Sequence, residues 1–146
     1  MPRKWTTLAA AVTAVCLTAT AFAFADDDDS PLHKLMEKVT AKNNAIGKGV
    51  RTAVAYKKAQ KDLPALADEL IKLGKEASAF TEPAVKQKKS QTEWVKLMDD
   101  FVKKTDDFKG VVSKANASQA EAKSAHNVVK ASCTACHNVF KVDDDK

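Results

Sequence analysis

The 146-residue chain contains few residues of the kinds that build β-sheets or disulfide-linked folds. Aromatic residues make up 6% of it, and it has four glycines, four prolines and three cysteines. Alanine, lysine, valine and leucine predominate instead, and this balance favours helices over a β-sandwich or barrel. Because 45% of the residues are hydrophobic and 29% are charged, the composition is that of a folded chain, and its length is typical of one domain.

A concentrated basic stripe, which nucleic-acid binding requires, is also missing. The chain has 24 Lys and Arg against 19 Asp and Glu, a formal charge of +5, and the two signs are mixed along the sequence. This mild positive balance argues against nucleic acid as a partner and suits acidic protein partners. The aspartate runs at residues 26–29 and 143–145 are interpreted as solvated tails.

Residues 1–25 have the pattern of a cleaved secretory signal peptide. A short basic start precedes an apolar stretch at residues 8–17, and Ala23-Phe24-Ala25 has the small-x-small form that a signal peptidase needs. The apolar stretch is too short for a membrane anchor, and threonines dilute it. We expect cleavage after Ala25, which removes Cys16 and leaves residues 26–146 as a single domain that does not span a membrane.

Four segments of residues 26–146 carry apolar residues at helical spacing. They run from Ser30-Pro31 to Val54, from Asp62 to Phe80 with Thr81-Glu82-Pro83 as a break, from about Gln91 to Val112, and from about Gln119 to Phe140. Ser30 followed by Pro31 is typical of a helix start. Gly47 and Gly49 are expected to kink or end the first helix. No segment alternates with period two, so the sequence predicts an all-α protein, an antiparallel four-helix bundle with short connections.

The segment Cys133-Thr134-Ala135-Cys136-His137, near the end of the fourth helix, has the pattern of c-type haem attachment. Residues three apart lie about one turn apart on the same side of a helix, so the thiols of Cys133 and Cys136 can each join one vinyl group on one edge of a haem. The next residue, His137, then directs its imidazole to the iron as the proximal ligand. The export pattern agrees, because this attachment takes place outside the bacterial cytoplasm. We therefore expect one covalently bound haem c.

Three other interpretations of this motif are weaker. A thioredoxin-type Cys-x-x-Cys opens a helix after a strand, whereas this pair lies near the end of a helix. A zinc site needs ligands beyond these three residues, and His33 and His126 are the only other histidines. A disulfide between Cys133 and Cys136 is strained at this spacing in a regular helix.

With a Cys-x-x-Cys-His motif on the last of four helices, the sequence resembles the class II c-type cytochromes, which include cytochrome c′ and its low-spin, methionine-ligated relatives. Residues 132–141 are similar to the closing motif of that family, in which an aromatic and then a basic residue follow the histidine; here these are Phe140 and Lys141. The likeness covers nearly all of residues 26–146 in length and helix order. It implies a four-helix bundle with covalently bound haem near the C-terminal helix, in a periplasmic protein.

In that family the first helix faces the sixth coordination position of the iron. Cytochrome c′ has an apolar residue there and leaves the iron five-coordinate, while the low-spin members have methionine. Lys34-Leu35-Met36 is similar to the ligand-bearing helix of the low-spin members, so the resemblance implies Met36 as the distal ligand. A helix shifted by one residue turns Leu35 to the haem instead. His33 is a minor alternative, and Met98 is expected in the core.

Side chains of the last two helices are expected to wall the haem pocket and to exclude water from it. They are Val129, Ser132 and Phe140 from the fourth helix and Trp94, Leu97 and Phe101 from the third.

A haem ligated by Met36 and His137 has both axial positions filled, which suits a one-electron carrier rather than an enzyme. The expected partners are redox proteins of the periplasm or the inner membrane. The alternative from the same family is a five-coordinate protein that binds NO or CO at an open distal site. Cytochromes c′ commonly form dimers through their first two helices, and a homodimer here would use Ala53, Val54 and Tyr56.

Overall fold

The computed structural model describes residues 30–140, and every regular element within them is a helix. The six helices are α1 (Pro31–Val50), α2 (Ala53–Ala59), α3 (Leu63–Ser78), α4 (Glu82–Lys86), α5 (Gln91–Val112) and α6 (Gln119–Phe140). The prediction of an all-α protein is therefore confirmed for this part of the chain. The predicted signal peptide with Cys16, and both aspartate runs, lie outside the described residues.

The helices that carry the predicted haem ligands begin at well-formed caps. Ser30 Oγ accepts a hydrogen bond from the backbone N–H of His33 at 3.0 Å, and Pro31 takes the first position of α1, as predicted. Ser118 and Glu121 form a reciprocal capping box before α6. The Ser118 N–H donates to Glu121 Oε2 at 2.8 Å, and the Glu121 N–H donates to Ser118 Oγ at 3.2 Å. These local bonds set where α1 and α6 begin.

The first predicted helix is divided into two. α1 ends at Val50, and α2 begins after Thr52, whose Oγ1 accepts a hydrogen bond from the N–H of Ala55 at 3.1 Å. A Cβ at Gly49 would lie 3.0 Å from the Cβ of Ala59, so glycine lets the end of α1 lie close against α2. The first helix thus ends where its glycines predict.

The segment Thr81-Glu82-Pro83, predicted to break the second helix, starts a short helix of its own. α3 ends at Ser78, and α4 begins at Glu82 with Pro83 in its first turn. Proline is tolerated there because the first N–H groups of a helix have no intrahelical partner. Six helices are therefore found in residues 30–140 where the sequence predicts four, and the two additions, α2 and α4, are short.

α4 ends in a Schellman motif, in which two backbone N–H groups turn back to the last carbonyls of the helix. The N–H of Lys89 donates to the carbonyl of Ala84 at 2.8 Å, and the N–H of Lys88 donates to the carbonyl of Val85 at 3.0 Å. Lys88 has a φ of 54°, in the left-handed region that favours glycine. This closed turn directs the chain from α4 into α5.

The four long helices enclose the core. α3 packs against α1 and α5, and α6 packs against α5 and α1. One cluster of buried side chains includes Ile46, Leu70 and Phe108, and a second includes Leu35, Trp94 and Phe140. Ion pairs join neighbouring helices on the outside: Lys109 Nζ lies 2.6 Å from Asp68 Oδ1, and Lys42 pairs with Glu69. In the described part of the chain, no helix has both the length and the apolar character needed to cross a membrane.

Tyr56, an expected dimer contact, belongs instead to the core of its own chain. Its hydroxyl donates to the backbone carbonyl of Ala117 at 3.2 Å, and only 5% of the residue is exposed. The bond ties α2 to the connection between α5 and α6. The expectation for Tyr56 is wrong, because a side chain buried within one chain is not available to a second; Ala53 and Val54 are exposed.

Candidate functional site

The Cys-x-x-Cys-His motif lies in the last turns of α6, at the edge of a cavity. Cys133, Cys136 and His137 all line this cavity. Cys136 is buried, Cys133 is half-buried and His137 is exposed. The thiols share one side of α6 because they are three residues apart on a helix, and both thiols are free.

The cavity has a volume of about 490 Å³. It lies between the first turns of α1 and α5 and the last turns of α3 and α6, with α4 at its side. This volume falls within the range of small-molecule and cofactor sites, about 300–1,000 Å³. Most of the lining side chains are apolar, as such sites usually require.

The side of α1 that faces the cavity carries Met36. Leu32, Met36 and Val39 line the wall at spacings of four and three residues, which is one face of a helix. Leu35 lies about 100° around the helix from Met36; it is buried in the second core cluster and does not line the cavity. His33 contributes to the same wall near the helix start. Of Leu35 and Met36, it is therefore Met36 that borders the cavity.

α5 contributes Trp94, Met98 and Phe101 to the cavity wall, again one face of a helix. Trp94 and Phe101 are residues that the sequence predicts there. Leu97 does not line the cavity, and the prediction for it is wrong; it packs partly buried against the second core cluster. The reason is the rotation of α5, which turns Met98 to the cavity and Leu97 about 100° away. Met98 therefore brings a second thioether to this wall.

α6 contributes Ser132 and Phe140 to the wall, as predicted, but not Val129. Val129 is buried in the first core cluster instead. Its carbonyl accepts a hydrogen bond from Ser132 Oγ at 2.7 Å, so this buried hydroxyl has a partner within the helix. The prediction for Val129 is wrong because the cavity reaches only the last turns of α6.

A glycine on α3 allows α3 and α5 to approach closely beside the cavity. Gly74 is buried and lines the cavity. A Cβ at Gly74 would lie 2.8 Å from Phe101 Cδ1 and 2.9 Å from Val102 Cγ2, distances that a real Cβ does not tolerate. The Phe101 ring can therefore lie against the α3 backbone and form part of the wall.

Aromatic contacts brace the wall where α5 and α6 meet. The rings of Trp94 and Phe140 are arranged edge to face, with centroids 5.2 Å apart and an interplanar angle of 79°. Trp94 Nε1 donates to the carbonyl of Ala77 on α3 at 3.2 Å. Lys89, in the connection between α4 and α5, donates from Nζ to the carbonyl of Val139. These contacts join α3, α5 and α6 around the cavity.

Sequence reasoning misses the contribution of the connection between α3 and α5. Phe80, Pro83 and Lys86 all line the cavity. Phe80 could have been predicted there, since it continues the apolar spacing of the second predicted helix. Pro83 and Lys86 could not, because a proline after a helix predicts only that the helix ends and not that a further helix follows it. Their place at the cavity follows from the fold of α4.

Burial keeps both motif thiols protonated at neutral pH. It raises the pKa of Cys136 to about 11, and the neighbouring Cys133 adds to this rise. Burial also raises the pKa of Cys133. Thioredoxin-type pairs have the opposite property, a lowered thiol pKa at the start of a helix. Both the placement and the electrostatics of this pair therefore disfavour a thiol–disulfide redox centre.

The other two histidines have partners away from the motif. His33 Nε2 lies 3.8 Å from Glu37 Oε1 on α1. His126 is buried, and its Nε2 lies 2.8 Å from Asn43 Oδ1. Burial, helped by the charge of Lys130, lowers the pKa of His126. Within residues 30–140, no three His, Cys, Asp or Glu side chains are grouped closely enough to hold a metal ion, so the zinc interpretation gains no support.

The cavity brings together residues from the two ends of the described chain, Met36 from α1 and the motif from α6. One apolar space is bordered by the thiols of Cys133 and Cys136, the imidazoles of His33 and His137, and the thioethers of Met36 and Met98. This set includes the donors that a covalently attached haem needs. Comparisons of the chain with protein-family models, with curated proteins and with solved structures give no match.

Proposed function

We propose that the protein is an exported c-type cytochrome that carries one electron at a time. Cys133 and Cys136 would hold a haem c through thioether bonds, with His137 as the proximal and Met36 as the distal ligand of the iron. The observation that carries this proposal is that all four side chains border one apolar cavity. The motif alone predicts three of them; the fourth comes from a helix distant in sequence.

We also propose that the protein has the architecture of the class II c-type cytochromes. The four long helices α1, α3, α5 and α6 would form an antiparallel four-helix bundle with the haem beside the C-terminal helix. The packing of α3 and α6 against both α1 and α5 supports this arrangement. So does the cavity, which borders the starts of α1 and α5 and the ends of α3 and α6, as helices of alternating direction require.

When bound, a c-type haem supplies an Fe(III)/Fe(II) couple. The chain itself would hold the group and tune the couple. The wall of Trp94, Met98 and Phe101 gives the site an apolar side, and apolar surroundings raise the reduction potential. A thioether ligand from Met36 raises it further.

Two side-chain ligands on the iron leave no coordination position for a substrate, and this favours a carrier over an enzyme. The proposed partners are redox proteins of the periplasm or the inner membrane. The alternative, a five-coordinate protein that binds NO or CO, needs an apolar residue in place of Met36. Leu35 is the residue that would serve, and it does not line the cavity, which supports the carrier.

The test is the visible absorption spectrum of the purified protein, oxidised and reduced, before and after addition of CO. A low-spin spectrum with a sulfur-to-iron charge-transfer band that CO does not change is the expected result. A high-spin spectrum that shifts with CO would favour gas binding instead. Haem staining after denaturing electrophoresis tests the covalent link, and unstained protein would refute the cytochrome proposal altogether.

A further inference from the structure

Lys89 reaches from the connection between α4 and α5 to the end of α6. Its Nζ donates a hydrogen bond to the backbone carbonyl of Val139 and lies 5.6 Å from the centre of the Phe140 ring. An ammonium group is a good donor to a backbone carbonyl, and a cation is favoured over the face of an aromatic ring. One side chain therefore makes two favourable contacts with the last described turn of α6, which also contains His137.

The backbone of Lys89 is held in place by the Schellman motif at the end of α4. Its N–H donates to the carbonyl of Ala84 at 2.8 Å, and the left-handed Lys88, at φ 54°, turns the chain just before it. The reach of Lys89 toward α6 thus starts from a closed turn and not from an open loop.

Phe140 contacts Lys89 and also lines the cavity. Its ring meets the ring of Trp94 edge to face at 5.2 Å, and both residues line the cavity. Trp94 is anchored in turn to the carbonyl of Ala77 at 3.2 Å. Lys89 is exposed and does not itself line the cavity, so its charge lies outside the wall with Phe140 next to it.

We propose that Lys89 is a positioning residue for the haem site, an inference that rests on the function proposed above. It holds the last turn of α6, which contains His137, against the connection between α4 and α5. Its positive charge beside the wall also favours the reduced iron, which carries one positive charge less than the oxidised iron. Lys89 therefore raises the reduction potential.

The experiment measures the reduction potential of the holoprotein by redox titration, in low and in high salt. Lys89→Met removes the charge and keeps an unbranched side chain, and Lys89→Arg keeps the charge. Lys89→Gln removes the charge but keeps a nitrogen donor for Val139, in case Lys89→Met loosens α6. Lys57→Met is the matched control, because Lys57 is an exposed lysine of α2 that does not line the cavity.

Lys89→Met and Lys89→Gln are expected to shift the iron equilibrium about two- to fivefold toward Fe(III) in low salt, as for a charge acting through partly solvated space. The reduction potential is therefore expected to fall by about 20–40 mV, since a tenfold change in a one-electron equilibrium corresponds to 59 mV. High salt is expected to make this fall in the reduction potential smaller. The reduction potentials of Lys89→Arg and Lys57→Met are expected to stay close to that of the wild type. Equal potentials in all variants, or an equal fall in Lys57→Met, would overturn the role of Lys89 alone. A wild-type protein without covalent haem would overturn both proposals.

Discussion

His126 on α6 and Asn43 on α1 share a partly buried hydrogen bond, with Nε2 and Oδ1 2.8 Å apart. His126 is only 4% exposed, and the centre of its ring lies 5.9 Å from that of Phe108. Gly47 provides the space, since a Cβ there would lie 3.2 Å from His126 Cε1. The bond joins the two helices that carry Met36 and the Cys-x-x-Cys-His motif.

Lowering the pH is expected to weaken this connection. Burial holds the pKa of His126 below its usual range, so in mild acid the unfolded chain binds a proton that the folded chain does not. The stabilisation that comes from neutral His126 is complete above the pKa of this residue in the unfolded chain, about 6.5. It is lost as the pH falls through that value to the lower pKa of His126 in the folded chain. The limiting slope for one proton is about 1.4 kcal/mol per pH unit. Urea unfolding from about pH 7.5 to about pH 5 measures this loss.

The control is His126→Gln, which keeps a nitrogen donor for Asn43 and does not titrate. The difference between the free energies of unfolding of the wild type and of this variant isolates His126 from the other titrating groups. If the two proteins had parallel pH profiles, the buried histidine would not be the source of the acid sensitivity.

Cys136 is expected to react slowly with alkylating reagents in the folded chain that lacks haem. Burial raises its pKa to about 11, so the reactive thiolate is scarce at neutral pH. The alkylation rate by iodoacetamide should rise up to about pH 11 in the folded chain and level off near pH 8.5 in urea, the usual thiol value. Tandem mass spectrometry assigns the modification to Cys136 or Cys133. If the alkylation rate of the folded chain levelled off near the same pH as in urea, burial would not protect this thiol.

Gly74→Ala is expected to destabilise the protein by about 1–3 kcal/mol, the usual cost of overpacking. The new Cβ would meet Phe101 Cδ1 at 2.8 Å and Val102 Cγ2 at 2.9 Å. Gly110→Ala is the matched control, because nothing lies within 4 Å of a Cβ at that exposed position of α5. It should stabilise by about 0.5–1 kcal/mol through helix propensity. Urea unfolding compares the two, and changes of the same sign would contradict the close approach of α3 and α5.

Lys88→Gly is expected to stabilise the protein by about 0.5–1 kcal/mol, because Lys88 adopts a left-handed φ of 54° that costs less for glycine. Lys88→Ala is the control, since it removes the same charge and keeps the unfavourable conformation. Thermal unfolding of the three proteins separates the effect of the backbone from that of the charge. A Tm of the alanine variant equal to that of the glycine variant would assign the gain to charge instead.

Met36→Leu is expected to abolish the sulfur-to-iron charge-transfer band of the holoprotein, and Met98→Leu to retain it. Both changes conserve volume, so neither should cost more than about 1.5 kcal/mol of stability in the chain that lacks haem. Both side chains line the cavity, which makes them a matched pair of thioethers. The visible spectra of the two variants show which of the two methionines binds the iron. If only Met98→Leu lost the band, Met98 on α5 and not Met36 would be the distal ligand.

Helix positions follow well from the sequence because their signals act over neighbouring residues. α5 has the predicted bounds, α6 begins at the predicted residue, and α3 begins and ends within two residues of the prediction. Ser30 and Pro31 start α1 through a single local bond. The motif at Cys133, Cys136 and His137 is also a local pattern, so its residues can be named without the fold. The sequence is less informative about α4, since Pro83 predicts the end of one helix but not the start of another.

The sequence by itself therefore determined the helical class, the starts of the long helices and the three residues of the motif. Only the tertiary structure decided that Met36 and not Leu35 borders the cavity, and that Met98 and not Leu97 joins it. A step of one residue turns a side chain by about 100° around a helix, and the final rotation depends on how ridges of one helix fill the grooves of the next. That fit involves side chains distant in the sequence, and no local pattern contains it.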